Sequence, residues 1–549
     1  MGFNSLMPKK IFTSKITGGK KMKKRAVAGV LAACLLCGCF TGCGNKEKNQ
    51  RDSEEKAFTY WMEMPSLSAA RVSNVGELSM YKEMERLTGI KVTFVHPPSG
   101  QGAEKFNLMM ASKDFTDVIE YDWSKYQGGA TKALSDGVAF KLNDIMDKAA
   151  PNFAKILKDD SELAKAASTM DGSYYGFPRM LPKGTGKVYG GLMLRQDWLE
   201  DLGLEVPETI DEWDNVLRRF KNEKGAIAPL TLQAGYFITA ADSPHFNCAY
   251  GVGEGFYVDD DGKVQFGPAQ NAYKDYLTTL NRWYKEGLLD PEFATINGAA
   301  SEARVLDDQS GAFYGFIGGS MGPYLDAWAA RGETNKKIVA APFPVLKKGT
   351  EPQYTPYVAR VTPPQAVITT KARNPEIIAG WLDYFYTRDG GMLSNFGIEG
   401  ETYTMDGDMP VYTDEIAHNP DGLSVYEALS IHARPSGGKP GYGVKLPDEW
   451  LVQDYPYEAQ REALFTWSKY VENGLKHQLP NLEYSLEDTD EIAALKLDIT
   501  SYAEEMIMRY IQGEESLDNF AQYQQTLKNM KLDRLLEIMQ KAYNQYMSK

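Results

Sequence analysis

The distribution of cysteine constrains this chain more than any other feature. Four of its five cysteines, Cys34, Cys37, Cys39 and Cys43, lie between positions 34 and 43, and only Cys248 lies beyond them. A single thiol closes no internal disulfide. The remaining stretch of about 500 residues must therefore fold on its own hydrophobic core, and a chain of that length buries enough surface to do so.

The crowded segment has an order of its own. Lys23, Lys24 and Arg25 precede an uncharged apolar run, Ala26–Leu36, and the polar run Asn45–Gln50 follows the cysteines. A positive head, a short apolar stretch and small residues before a cut are the layout of a secretory signal. The run falls short of the roughly 20 residues that span a bilayer. Phe40–Cys43 (FTGC) and Leu36–Cys39 (LCGC) are each similar to the lipobox of bacterial lipoproteins. That resemblance implies a lipid on the Cys43 thiol, with Cys39 as the alternative, and a cut just before it. An ordinary secretory signal is the plainer reading. Residues 1–42 are then a signal peptide, with residues 1–21 an extension ahead of a natural start at Met22. Residues 43–56 are a flexible tether that holds the protein to the outer face of the cell membrane.

Residues 1–42 carry eight Lys/Arg and no acid, so their removal takes the net charge from −14 to −22. Such acidity argues against nucleic acid as a partner, and against adhesion to anionic lipid by charge alone.

From Phe58 onward the pattern is globular. Ala57–Met62 suits a buried strand. Leu78, Tyr81, Met84 and Leu87 recur at helical spacing before Gly89, and Ile90, Val92 and Phe94 alternate as a strand does. A further helix over Glu104–Ser112 and a strand over Asp117–Tyr121 continue the alternation, which implies a mainly parallel sheet covered by helices on both faces. Val206–Phe220 carries a capping box, Thr209 with Glu212, ahead of the apolar stripe Ile210, Trp213, Val216, Leu217 and Phe220. Val258–Phe266 reads as a hairpin turning at Asp261–Gly262. Tyr273–Asp290 reads as a helix stopped by Gly287, and Lys337–Val345 and Gln365–Thr370 as strands. Asn374–Thr387 reads as a helix with Pro375 in its first turn. Beyond about residue 450 the chain is mostly helical.

Four segments, in this order and spacing, carry a family resemblance: Tyr175–Arg179 (YGFPR), Met193–Lys221, Asp261–Phe293 and Asn395–Asp408. The chain resembles the extracellular solute-binding proteins of bacterial ABC importers, in the lipoprotein branch associated with carbohydrate uptake. The resemblance implies an α/β fold of two lobes, periplasmic-binding-protein-like (type II), with the ligand cleft between them and a helical C-terminal extension. Lobe one is expected over 57–180 plus 312–365, and lobe two over 190–310 plus 368–549. It further implies a monomer that closes on a carbohydrate, expected to be an oligosaccharide, and hands it to the permease subunits without catalysis or cofactor. Many relatives carry a calcium loop after the helix that bears Trp213; here that place reads Lys221–Leu232, without a ladder of oxygen ligands, and no metal site is carried over.

A sugar needs an aromatic platform for its C–H face and fixed partners for its hydroxyls. Ligands in open α/β sheets lie beyond the carboxyl ends of strands, which selects Trp61, Asp122 and Trp123. Tyr175 and Arg179 flank the first crossing between lobes, and Arg179 has the fork of donors that suits hydroxyls or a uronic carboxylate. Arg195 sits on a strand-to-helix turn, and Tyr314 where a strand returns to lobe one. Tyr354, with Tyr357 and Arg360, lies before the last crossing, and Glu399 and Tyr403 belong to the family-like phrase. Trp213, Trp283 and Trp381 fall on helix stripes and are assigned to packing.

Two rivals remain at this point. A secreted polysaccharide-active enzyme needs two carboxylates across a sugar, and 74 Asp/Glu do not exclude such a pair, although no nucleophile elbow, H-E-x-x-H or P-loop is present. A peptide binder or sensor on the same fold is the other.

Overall fold

The computed structural model describes residues 56–233, 246–361, 366–434 and 441–549. The signal segment, both candidate lipidation cysteines and the tether up to residue 55 lie outside the described residues.

Two four-stranded sheets organise the molecule. The first begins with β1 (Ala57–Trp61), β2 (Lys91–Val95) and β3 (Val118–Glu120), joined by the helices Ser79–Thr88 and Gly102–Ser112. β1 runs parallel to both neighbours. Gly89 ends the first helix with φ +65, a left-handed conformation that glycine adopts without a Cβ clash. β4 (Arg179–Met180) leads out of this lobe. The second sheet follows with β5 (Gly190–Arg195), β6 (Leu230–Thr231), β9 (Ala312–Phe316) and β10 (Ile338–Ala340). The hairpin β7 (Phe256–Val258) and β8 (Val264–Phe266) lies between them in sequence. β11 (Ala366–Ile368) returns to pair antiparallel with β3. The hairpin β12 (Tyr403–Asp406) and β13 (Met409–Tyr412) follows, then β14 (Gly443–Val444). The sheet orders are β11-β3-β1-β2 and β10-β5-β9-β6.

This order corrects the expected lobe contents. Residues 312–316 do not belong with lobe one: β9 lies in the second sheet, antiparallel to β5 and parallel to β6. Residues 366–395 do not belong with lobe two: β11 extends the first sheet, and Ile378, Trp381, Leu382 and Phe385 pack into the core of Phe58, Tyr60 and Val118. A local apolar run identifies a strand but not its partner, and pairing across 118 residues (Leu194 with Ala312) and across 246 residues (Glu120 with Ala366) is what decided the two cases. The second sheet is also less parallel than the first, since β5 is antiparallel to both β9 and β10.

The inner strands β3, β5 and β9 are buried on both faces, while the edge strand β2 exposes one. On β1, Phe58 and Tyr60 point into one core, while Trp61 points into another with Phe106, Ile119 and Tyr121. The helix Ile210–Lys224 starts with the complete capping box of Thr209 and Glu212 and buries its whole predicted stripe. It shares one core with the helix Asn271–Lys285 and with the C-terminal helices Leu486–Gln512, Phe520–Asn529 and Leu532–Ser548. A smaller module, built on β12, β13 and the helix Val425–Leu429, packs through Phe396, Tyr412 and Leu429.

The chain crosses between the sheets three times, after β4, between β10 and β11, and after β14. These crossings are hydrogen bonded side by side. β4 pairs with β14 in parallel, and Met180 forms a bridge with Val361. Leu181 N–H donates to the Arg360 carbonyl, and Lys445 N–H to that of Met180, each at 2.8 Å.

Candidate functional site: a cleft between the two sheets

A cleft of about 1750 Å³ opens beside these crossings, with walls from both lobes. Its base is built from the crossings themselves. Lys445 Nζ donates to Asp448 Oδ1 at 2.5 Å and to Tyr189 Oη at 2.7 Å, while Asp448 Oδ2 accepts from Gly186 N–H at 3.0 Å. Both charges are buried, and desolvation pulls the Lys445 pKa below its usual value against the opposing pull of Asp448. Arg179 lines the same base, and burial lowers its pKa as well. One crossing thus supplies Tyr189, and another supplies the ion pair that fixes its hydroxyl.

The wall from lobe one rests on a second buried pair. Arg434 meets Glu120, at the carboxyl end of β3, through Nη2–Oε1 at 2.7 Å and Nη1–Oε2 at 3.1 Å. Tyr60 Oη donates to the same carboxylate at 2.7 Å, and Arg434 Nη1 donates to Tyr81 Oη at 3.0 Å. Beside it, Arg71 pairs with Glu427 at 3.1 Å and Ser68 Oγ donates to the Ser430 carbonyl at 2.8 Å. These contacts pin the small module onto the loop after β1, and together they present Glu63–Ser68, Tyr426, Glu427 and Ser430 to the cleft.

The wall from lobe two is plainer. β9 ends at Phe316, a large aromatic that remains 39% exposed. The π-turn Ile317–Met321 follows, placing Gly318 and Gly319 on the surface before the helix Gly322–Ala330. Gln460 Nε2 donates to the Ile317 carbonyl at 2.8 Å, and Tyr457 Oη donates to Asp326 at 2.5 Å. Gly190 is required beneath Phe316, because a Cβ there would lie 2.8 Å from the ring.

Of the ten ligand-binding residues expected from sequence, Arg179 alone lines this cleft. Trp61 is buried against Tyr121, with ring centroids 5.9 Å apart. Trp123 is 1% exposed, its indole N–H donating to the Ile119 carbonyl and its ring edge-on to Phe106. Trp61 follows from strand parity, since the face opposite Tyr60 is covered by the helix Gly102–Ser112, and Trp123, in the turn just after β3, folds back into the same cluster. Asp122 caps the short turn after β3 by accepting from Ser124 N–H. Tyr175 is buried in the same cluster as Trp61. Arg195 lies between Trp198 and Trp328 and pairs with Asp197 and Asp308, which makes it an anchor of lobe two. Tyr314 is buried beside Phe316, two positions earlier on the same face of β9 and further into the core. Tyr354 packs on Tyr257 and His477. Tyr403 packs on Phe396, while Glu399 is exposed away from the cleft. Tyr357 and Arg360 do not line it either; Arg360 pairs with Asp160 and Glu162.

Sequence reasoning missed Phe316, Tyr189, Tyr426, Tyr455, Lys445 and Asp454. One signal was readable: Phe316–Gly322 places an aromatic and three glycines just beyond a strand's carboxyl end. Among the described residues no tryptophan lines the cleft, and tyrosine and phenylalanine carry its aromatic character.

Residues 77–392 match the family described as bacterial extracellular solute-binding protein. Over 96% of its length the chain is 24% identical to 99% of the fructooligosaccharide ABC transporter substrate-binding protein FusA of Streptococcus pneumoniae serotype 4. It is 25% identical to the lipoprotein LipO of Bacillus subtilis strain 168, over 75% of this chain and 79% of that one. The solved structure of S. pneumoniae FusA in complex with kestose shares the fold, with a TM-score of 0.67 and 23% identity over 90% of this chain and all of that one.

Proposed function

The chain belongs to the family of bacterial extracellular solute-binding proteins, and on that premise we propose that it captures an oligosaccharide between its lobes for an ABC importer. The observation that carries the reading is the cleft itself. Its volume of about 1750 Å³ exceeds the roughly 300–1,000 Å³ of sites that enclose drug-sized ligands, and it suits a chain of sugars better than one. Phe316 offers an apolar face to sugar C–H groups, while Tyr189, Tyr426, Glu427 and Gln460 offer partners to hydroxyls. The naming of FusA for fructooligosaccharides supports the same class.

Ligand seated on one wall draws the other down through the three paired crossings. The closed form gains only the contacts that ligand makes better in it. The permease then receives the ligand from the closed lobes. The family is one of binding proteins, so the enzyme reading is set aside. Anchoring through a lipid on Cys43, or on Cys39, keeps the protein at the membrane; the lipoprotein name of LipO supports it. Among the described residues no helix is long and apolar enough to cross a membrane.

Thermal unfolding of the purified protein against neutral oligosaccharides, uronates and peptides tests this. A ligand at 100 times its Kd adds about 2.7 kcal/mol, which raises Tm by about 2–3 °C when roughly 500 residues melt as one unit. The expected result is a shift with one neutral oligosaccharide class and no product. A shift with peptides alone, or product in the tube, would overturn it.

A further inference from the structure

Asp454 lies on the turn Val452–Asp454, on the third crossing between β14 in lobe one and the helix Glu458–Ser468 of lobe two. It lines the cleft yet is only 6% exposed. Its neighbours are hydroxyls. Tyr412 Oη, from β13, donates to Oδ1 at 2.5 Å. Tyr426, from the helix Val425–Leu429, lies near the carboxyl, and its Oη lies 3.4 Å from Tyr455 Oη. Of the charged groups around this cage, Asp448 pairs with Lys445, Glu427 with Arg71, and Arg461 donates to the carbonyls of Tyr455 and Pro456, while Arg179 lines the same cleft and acts on Tyr189, Asp448 and Tyr426. Among the described residues no Lys, Arg or His forms an ion pair with Asp454.

We propose that Asp454 is a ligand-reading residue whose carboxylate accepts a hydrogen bond from a sugar hydroxyl, so that oligosaccharide binding is coupled to release of the Asp454 proton. This rests on the oligosaccharide reading given above. A buried acceptor without a cation gains most from a new donor, since hydrogen bonds to charged groups are about twice as strong as neutral ones. Burial raises the Asp454 pKa to about 7, against the lowering effect of the two tyrosine hydroxyls. At neutral pH the free protein is therefore a mixture of both forms. Ligand that donates to the carboxylate selects the ionised one, the proton passes to buffer, and affinity rises with pH. The cage sits on a crossing, so the same carboxyl reads ligand at the place where the lobes turn.

The test is titration calorimetry of the full protein with the oligosaccharide identified by the thermal screen, at pH 6 and pH 8 and in two buffers of different ionisation heat. If only the ionised form binds well, Kd is about tenfold larger at pH 6 than at pH 8, and binding near pH 7 releases protons. Asp454→Asn is expected to bind more weakly with no pH dependence. Tyr412→Phe removes a donor from the carboxylate and is expected to move the pH midpoint upward. A wild-type affinity that does not change with pH, or an unchanged pH profile in Asp454→Asn or Tyr412→Phe, overturns the inference while leaving the oligosaccharide reading intact. Binding of no saccharide overturns both.

Discussion

The two walls of the cleft are built on different principles. The wall from lobe one is held by charge: the buried pair of Arg434 with Glu120, buttressed by Tyr60 and Tyr81, and the partly exposed pair of Arg71 with Glu427. Among the described residues the wall from lobe two has no ion pair at its surface. It offers one half-exposed ring, a glycine turn and a carbonyl held by Gln460. The difference separates two jobs. Buried, mutually satisfied charges fix a surface in one geometry because leaving any member unpaired is costly. An exposed ring over glycines adds contact area without depending on its neighbours, so stability and affinity should divide between the walls.

The largest effect belongs to the charged wall. Arg434→Met leaves the Glu120 carboxylate fully buried without its cation and should cost about 3–5 kcal/mol in urea unfolding. Adding Glu120→Gln should recover part of that loss, because the stranded charge is then gone. Equal losses in the single and double variants would mean that the guanidinium matters for packing and not for charge.

Phe316→Ala should do the reverse. Truncating an exposed aromatic anchor should weaken ligand binding by about tenfold or more, while stability stays within about 0.5 kcal/mol. Calorimetry and urea unfolding on the same preparation check both halves. A large stability loss would make Phe316 a packing residue and erase the contrast between walls.

Asp454 gives a smaller, pH-dependent signal. Its pKa is raised on folding by burial, so between about pH 4 and pH 7 the folded state binds more protons than the unfolded state. Its contribution to stability is therefore fully present at about pH 4 and is lost as pH rises to about 7. Asp454→Asn should match the wild type in Tm near pH 4 and exceed it increasingly up to pH 8.

The smallest expected effect is on binding by Trp123→Phe. The indole is buried with its N–H on the Ile119 carbonyl, so the substitution should cost some stability and leave Kd unchanged within about twofold.

Much of the local structure was legible. The capping box at Thr209 and Glu212 announces the helix that begins at Ile210, because its chemistry is complete within four residues. The alternation through β1, β2 and β3 announces the first sheet for the same reason. Lobe membership was not legible at β9, whose partners β5 and β6 lie more than 80 residues upstream. The site was legible at Arg179 only. Trp61 and Tyr60 are adjacent in one strand and face different cores, and which face a helix covers is a tertiary fact. Tyr189, Lys445 and Asp454 come together only when three crossings lie side by side, and no spacing in the sequence encodes that.

The most direct test of the account is a paired titration of one oligosaccharide into Phe316→Ala and Trp123→Phe beside the wild type. Binding lost in Phe316→Ala and kept in Trp123→Phe would place the ligand in the cleft between the two sheets. Binding kept in Phe316→Ala and lost in Trp123→Phe, with both variants folded, would put it at the end of β3 and contradict the account.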